Sequence, residues 1–116
     1  MIDETPKIVK DELYQLLRND RADEFNRKRP QKPFKLSGLD FHGQSFKGVN
    51  VEGIDFSNSY FRQSDLRGVN FKTCNLEGAS IYNARISGVY FPENLSPDEI
   101  KLSLEHGTRM RCEKAE

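Results

Sequence analysis

The sequence of 116 residues predicts an all-β solenoid, a short column of stacked coils closed by α-helices at both ends. Two observations carry this prediction: a large apolar residue recurs every five positions through the middle of the chain, and the glycines share one phase of that period. The length allows one domain. We expect an N-terminal helical cap at 1–33, a β-helical column at 34–93, and a C-terminal helical cap and tail at 94–116.

The apolar period runs through twelve positions without a miss and fits neither regular secondary structure. Five residues rotate an α-helix by about 500°, so successive members would form no stripe. On a strand, an odd spacing sends successive members to alternate faces. A short fixed period is typical of stacked coils. We therefore expect these repeat centres to point inward and form the core: Leu36, Phe41, Phe46, Val51, Phe56, Phe61, Leu66, Phe71, Leu76, Ile81, Ile86 and Phe91.

The other phases of the repeat support the same geometry. Residues two positions before each centre are mostly small or apolar, so they also belong inside. Seven of the eight glycines fall two positions after a centre. Glycine reaches positive φ without a Cβ clash, and Asn is the next most tolerant residue. This phase is therefore predicted to be the corner at which the chain turns.

The segments Ser64-Asp65-Leu66-Arg67-Gly68 and Asn75-Leu76-Glu77-Gly78 resemble the repeat of the pentapeptide-repeat family, which is usually summarised as Ala, then Asp or Asn, then Leu, then two freer residues. The resemblance covers residues 34–91. It implies a right-handed quadrilateral β-helix with four repeats per coil and about three coils. The centres would then stack in four ladders: Leu36, Phe56 and Leu76; Phe41, Phe61 and Ile81; Phe46, Leu66 and Ile86; Val51, Phe71 and Phe91.

Uncovered ends of such a column would expose apolar rings and unpaired backbone, so caps are expected. Before the repeats, Thr5 and Pro6 can begin a helix near 6–18, and Phe25 indicates that a further helical turn docks. The apolar face of the first helix is predicted to contain Ile8, Val9, Leu13, Leu16 and Leu17.

After the repeats, several signals predict the start of another helix. We expect this helix to end near Gly107, and the tail beyond, with Arg109 and Arg111, to be solvated. The start signals are a capping box of Ser96 and Glu99, Pro97 at the first helical position, and Leu95 placed to pack on Ile100.

Charge limits the classes of partner. The chain has 18 basic and 18 acidic residues, so no net charge draws it toward nucleic acid or anionic lipid. No apolar run is long enough to cross a bilayer, and the start lacks the apolar core of a signal peptide. We expect a cytoplasmic protein with no membrane partner.

No motif for catalysis is visible. His42 and His106 are far apart and belong to no metal-binding or nucleophile motif, so both are expected on the surface. Cys74 occupies an inward phase and is expected to be a buried structural thiol. Glycines at five-residue spacing, without a following Gly-Lys-Ser/Thr, do not form a phosphate loop. The sequence predicts no enzyme, cofactor or metal.

One outward feature is uneven. With four repeats per coil, a basic and aromatic edge forms along two neighbouring sides. Tyr and Arg are common anchors in protein interfaces, so this edge is the candidate interaction face, with a solvated face as the alternative. Its residues are His42, Tyr60, Arg62 and Tyr82 on one side, and Lys47, Arg67 and Arg85 on the next.

These observations favour a non-catalytic module that binds a protein partner not identified by the sequence. The family suggests an alternative, a DNA-mimic modulator of a type II topoisomerase, which would need a long acidic surface. Nucleic-acid binding through the basic edge is a further alternative that we do not expect. We expect a monomer, and an end-to-end dimer stays open.

Overall fold

The computed structural model describes residues 7–114, with side chains from residue 12 onward. Its regular elements, in chain order, are α1 (Lys7–Arg18), α2 (Ala22–Lys28), β1 (Phe34–Lys35), β2 (Ile54–Asp55) and α3 (Pro97–His106). The predicted helix start at Thr5 and Pro6 lies outside the described residues. The predicted apolar positions Ile8 and Val9 lie outside the described side chains.

Parallel backbone pairing joins residues that are twenty positions apart. β1 pairs with β2 in parallel, with Phe34 opposite Ile54. Single parallel bridges repeat the same offset along the chain: Asp40 with Tyr60, Ser45 with Asp65, Asp55 with Asn75, Tyr60 with Ser80, Asp65 with Arg85, and Asn70 with Tyr90. Each coil therefore contains four repeats, and residues 34–53, 54–73 and 74–93 form three coils.

The four stacked sets of repeats define four rows, which we use to locate residues below. We name them row one (34–38, 54–58, 74–78), row two (39–43, 59–63, 79–83), row three (44–48, 64–68, 84–88) and row four (49–53, 69–73, 89–93).

The repeat centres fill the interior. All centres from Leu36 to Ile81 are buried, whereas Ile86 and Phe91 in the third coil are half-buried. The rings of Phe41 and Phe61, one coil apart in row two, stack with centroids 5.4 Å apart and planes at 14°. Neighbouring rows contribute edge-to-face contacts, such as Phe56 with Phe61 at 5.4 Å. Aromatic rings thus occupy most of the first and second coils.

The corner phase adopts the backbone conformation that the glycines indicate. Gly68 has φ 75°, and non-glycine residues in the same phase also have positive φ, including Gln63 at 57°. Thr73 is in the same phase without a positive φ, and its hydroxyl accepts a hydrogen bond from the Gly53 N–H at 2.9 Å. That hydroxyl takes the place of a backbone carbonyl in the ladder.

Regular β-structure is scarcer than an all-β fold implies. The described residues contain two strands of two residues each, together with three helices. The physical reason is the short repeat: each five-residue side spends about half its length on a corner, so most sides make a single bridge.

The N-terminal helices cover the first coil. Leu13 and Leu17 of α1 and Phe25 of α2 are buried and belong to the core cluster. Leu16 is half-buried at the same interface. Among helices of the described residues, none combines the length and apolar character needed to cross a membrane.

Polar side chains of α1, α2 and the residue after α2 bind the free carbonyls of the first coil. Arg29 is buried and donates to the carbonyls of Asn50 at 2.7 Å and Glu52 at 2.8 Å. Burial lowers the pKa of this guanidinium. Three other residues act in the same way: Tyr14 on the Asp40 carbonyl, Arg18 on the His42 carbonyl, and Asn26 on the Gly48 carbonyl.

The third helix begins as predicted, with one correction. Ser96 is the N-cap and accepts from the Glu99 N–H at 3.2 Å, and Gly107 ends the helix with φ 73°. The return bond of the capping box is not formed. The Glu99 carboxylate instead binds Arg111, with the shortest contact at 2.6 Å, because a full positive charge is a stronger donor than the Ser96 N–H.

The expectation of a solvated tail is wrong at Met110 and in the backbone, although the side chains of Arg109 and Arg111 are exposed. Met110 is fully buried, its carbonyl accepts from the Gly78 N–H at 2.7 Å, and its N–H donates to the Ala79 carbonyl at 2.8 Å. Arg109 donates to the Gly78 carbonyl at 3.1 Å. The tail is held because it supplies the backbone partners that a fourth coil would have supplied.

Candidate functional site

Row two carries the largest exposed aromatic and basic strip of the candidate interaction face. The corner turns after each repeat centre fix the outward positions, so Tyr60 and Arg62 project from the same short side. Tyr60 bridges both Asp40 below and Ser80 above, so its backbone is fixed by neighbours on two levels. Its side chain is nevertheless 44% exposed.

Two open concavities meet at Tyr60 and Arg62. The first has a volume of about 570 Å³ and is lined by Gly38, Asp40, His42, Tyr60, Arg62 and Gln63. The second has a volume of about 530 Å³ and is lined by Tyr60, Arg62, Ser80, Tyr82, Glu105, His106 and Gly107. We call the joined surface the row-two groove.

Several contacts fix the walls of the row-two groove. His42 lies 3.2 Å from the Asp40 carboxylate through Nδ1, and the same carboxylate accepts from the His42 N–H at 2.9 Å. The guanidinium of Arg109 lies over the Tyr60 ring, 5.8 Å from its centroid. Ser80 donates to the Gly107 carbonyl at 3.2 Å. The groove is thus bordered by both the repeats and the C-terminal tail.

Arg62 is the cation of the groove that has no assigned internal partner. Within the described part of the chain it takes part in no salt bridge. The side chain is exposed at the junction of the two concavities. An exposed guanidinium without a carboxylate partner can pair with a carboxylate of another molecule and donate two parallel hydrogen bonds to it.

The row-three members of the predicted face lie beside the groove. Asp65 and Arg67 form a two-point ion pair, with distances of 2.9 and 2.7 Å. Hydrogen bonds from Arg67 lower the pKa of Asp65 to about 2. Arg85 lies one coil above Asp65, and the backbones of the two residues form a parallel β-bridge. Lys47 instead borders a separate hollow against Leu17 and Ala22 of the N-terminal cap.

The cysteines have the environments of structural thiols. Burial raises the pKa of Cys74 to about 12, and its thiol donates to the Val51 carbonyl at 3.1 Å. Burial and the nearby Glu77 carboxylate raise the pKa of Cys112 to about 11. Neither is a thiolate near neutral pH. Residues 7–114 also contain no group of three or more His, Cys, Asp or Glu side chains placed to hold a metal ion.

The side chains that the C-terminal segment brings to the groove were not identified from the sequence. Glu105, His106 and Arg109 lie beyond the repeats, and no spacing connects them to row two. The capping box at Ser96 predicts the helix, but it does not specify which row the helix covers. Only the packed position of α3 and the tail brings these side chains to Tyr60 and Tyr82.

Sequence comparison agrees with the repeat geometry. The family model described as pentapeptide repeats (8 copies) matches residues 34–63 and 54–91. Together the two matches span 34–91, which is half of the 116 residues. No curated protein matches the chain. No solved structure matches it either.

Proposed function

The chain belongs to the pentapeptide-repeat family, and from this premise we propose that it is a non-catalytic protein-interaction module that binds its partner through the row-two groove. Members of this family are generally structural or interaction modules. We infer that its three coils form a right-handed quadrilateral β-helix. The four repeats per coil and the parallel offset of twenty support this geometry.

One observation carries the proposal: Tyr60 and Arg62 are shared by both concavities of the groove. Aromatic and arginine side chains dominate the binding energy of many protein interfaces. The backbone that presents them is already fixed by bridges on both sides, so binding orders little additional chain. A rigid, shallow groove with these anchors suits a protein surface better than a small molecule, which favours an enclosed pocket.

Charge defines the partner further. Arg62 in the groove, with Arg85 and Lys47 on row three, gives a group of cations that form no salt bridge among the described residues. Because complementary charges guide association, we expect carboxylates on the partner surface. Asp40 and Asp65 interrupt the cations, which supports a protein surface over the uniform negative charge of nucleic acid.

The DNA-mimic alternative requires rows of carboxylates that imitate phosphates. The outward side chains of rows two and three instead include Arg62, Lys47, Arg67 and Arg85, with Asp40 and Asp65 as the acidic members. We expect no change in a DNA gyrase supercoiling assay at micromolar protein. Inhibition that survives charge reversal of Arg62 would favour the mimic.

The test is affinity capture from native cell extract with three forms of the chain. Arg62→Glu reverses the central charge of the groove, and Arg27→Glu makes the same change at an exposed position of α2. A partner retained by the wild type and Arg27→Glu, and lost from Arg62→Glu, is the expected result. The same captured proteins with all three forms would contradict the proposal.

Arg62→Glu tests the groove more specifically than replacement of Tyr60 and Tyr82 would. Tyr82 lies against Gly107, and Tyr60 lies under Arg109. Their replacement would loosen the tail as well as the groove, so lost binding could reflect lost structure. Among the described residues the Arg62 side chain forms no hydrogen bond or salt bridge, and its exchange is expected to leave the free energy of unfolding within about 0.5 kcal/mol.

A further inference from the structure

The upper edge of the third coil differs between its two halves. In rows three and four, the second coil is joined to the third by five backbone hydrogen bonds. Three run upward, from the N–H groups of Leu66, Gly68 and Phe71, at 2.7–2.9 Å, and two run downward, from Arg85 and Tyr90 to the carbonyls of Ser64 and Val69, at 2.9 and 3.0 Å.

The equivalent groups one coil higher have no hydrogen-bond partner within the described chain. These are the N–H groups of Ile86, Gly88 and Phe91 and the carbonyls of Ala84 and Val89. In rows one and two of the same coil, the C-terminal segment fills this role. Gly78 donates to the Met110 carbonyl, Asn83 to the Leu104 carbonyl, and Ile81 to the Ser103 hydroxyl.

The side chains follow the same division. Leu66, Val69 and Phe71 are buried in the second coil, whereas their third-coil equivalents Ile86, Val89 and Phe91 are half-buried. Tyr90 between them is 57% exposed. We call this half-covered surface the open ledge and define it by Ala84, Ile86, Gly88, Val89 and Phe91. It continues directly from the interface that α3 and the tail already occupy.

A second copy of the chain is a poor match for the open ledge. The N-terminal edge of another copy has its carbonyls occupied by Tyr14, Arg18, Asn26 and Arg29. The same C-terminal end of another copy cannot approach flat, because α3 rises beside the ledge and a helix is about 10 Å across. Neither end of another copy can therefore pair with the ledge.

We infer that the open ledge binds an extended segment of a partner protein by strand addition, at a site separate from the row-two groove. Unpaired N–H and C=O groups at a sheet edge are a template for another extended chain. The segment runs parallel to rows three and four and turns once at the corner between them. Its carbonyls accept from Ile86, Gly88 and Phe91, and its N–H groups donate to Ala84 and Val89.

The ledge also defines the side chains of the bound segment. In the coils below, an apolar centre lies over an apolar centre at every level of rows three and four, from Phe46 to Leu66 and from Val51 to Phe71. The segment therefore needs two apolar residues five positions apart, one over Ile86 and one over Phe91. Between them it needs a residue that tolerates positive φ, such as Gly or Asn.

The test uses a synthetic peptide with the sequence of residues 84–93, which already has this spacing. It is titrated into the full-length ¹⁵N-labelled chain. Saturable shifts at the amides of Ile86, Gly88 and Phe91, with little change at Gly78, Ile81 and Asn83, are the expected result. A control peptide with Asp in place of both apolar centres should bind at least tenfold more weakly.

Variants separate this site from the groove. Ile86→Lys should weaken binding of the peptide at least tenfold, with unchanged amide shifts in the first coil as the check on folding. Arg62→Glu should bind the peptide as the wild type does. The inference is overturned by a titration without shifts, by shifts centred on Tyr60, or by a free chain that sediments as a dimer with its ledge amides protected.

Discussion

The two ends of the column are closed by different means. At the N-terminal end, side chains of Tyr14, Arg18, Asn26 and Arg29 bind the carbonyls of the first coil. At the C-terminal end, the cover is mostly backbone, from α3 and the tail around Met110, and it extends over rows one and two. Rows three and four of that end form the open ledge.

This difference shows two solutions to one physical problem. A coil edge presents backbone groups that must be paired or solvated. Long polar side chains reach carbonyls from helices packed against the coil, and at the N-terminal end they bind carbonyls in rows two, three and four. A backbone cover must lie directly against the edge, so a short tail covers only the rows that it passes over.

The largest effect should come from the side-chain closure of the N-terminal end. Arg29→Ala removes two charge-assisted hydrogen bonds to the first coil from a buried position, and each is worth about 1.5–3 kcal/mol. We expect the free energy of unfolding to fall by about 4 kcal/mol, measured by urea denaturation. Arg27→Ala on the same segment is the control, with a loss below about 0.5 kcal/mol. Equal losses would show that Arg29 does not close this end.

The backbone closure of the C-terminal end should be the next most sensitive. Met110→Ala empties a fully buried position under the tail, and such changes cost about 2–5 kcal/mol. We expect a loss near 3 kcal/mol in the same denaturation experiment. Leu102→Ala, at an exposed position of α3, should cost much less. A Met110→Ala chain as stable as the wild type would mean that the tail is not part of the fold.

Two corners give a smaller and paired comparison. Gly78 and Gly68 have φ values of 76° and 75°, so alanine is strained at both. A Cβ on Gly78 would overlap the Asn58 side chain, which accepts a hydrogen bond from Arg109, whereas a Cβ on Gly68 meets open space. We expect losses of about 2 kcal/mol for Gly78→Ala and about 1 kcal/mol for Gly68→Ala. Thermal unfolding of both variants compares the corner at Gly78, which the tail covers, with the corner at Gly68, which the tail does not cover.

The smallest effect concerns the ion pair of Asp65 and Arg67, which lies in the second coil, away from both ends. Hydrogen bonds from Arg67 lower the pKa of Asp65 to about 2. Because the carboxyl pKa is lower in the folded chain than the value of ~3.9 in the unfolded chain, the ion pair stabilises the fold at pH values above ~4. That stability is lost as the pH falls from ~4 through about 2. Arg67→Gln should raise the Asp65 pKa only part of the way, because the backbone N–H of residue 67 still donates to the carboxylate at 3.2 Å; NMR titration of the carboxyl carbon measures this. An unchanged pKa would assign the shift to another neighbour.

The inner structure could be predicted because one pattern determines it. A centre every five residues fixes which side chains are inside, and the corner phase predicts the turn even at Gln63, where no glycine is present. The twenty-residue coil then predicts which outward residues share a row, such as Tyr60 with Tyr82. Local start signals likewise predict α3, with Ser96 as its N-cap.

The closures could not be predicted because they depend on where packed segments come to rest. Asn26 and Arg29 belong to no periodic pattern, and their partners are carbonyls more than twenty positions away. Met110 is a single large apolar residue in a tail that is mostly polar. Glu99 fits a capping box, yet it pairs with Arg111 because the tail turns back beside it. His106 and Arg109 reach the row-two groove for the same reason.

Amide hydrogen exchange at matched repeat centres tests the account most directly. The N–H groups of Phe41, Phe61 and Ile81 in row two are all hydrogen-bonded, as are those of Phe46 and Leu66 in row three. We predict slow exchange at these five positions and exchange at Ile86 faster by at least about 100-fold than at Leu66. Fast exchange at Phe61 and Leu66 would contradict the stacked coils, and slow exchange at Ile86 in the monomer would contradict the half-open end.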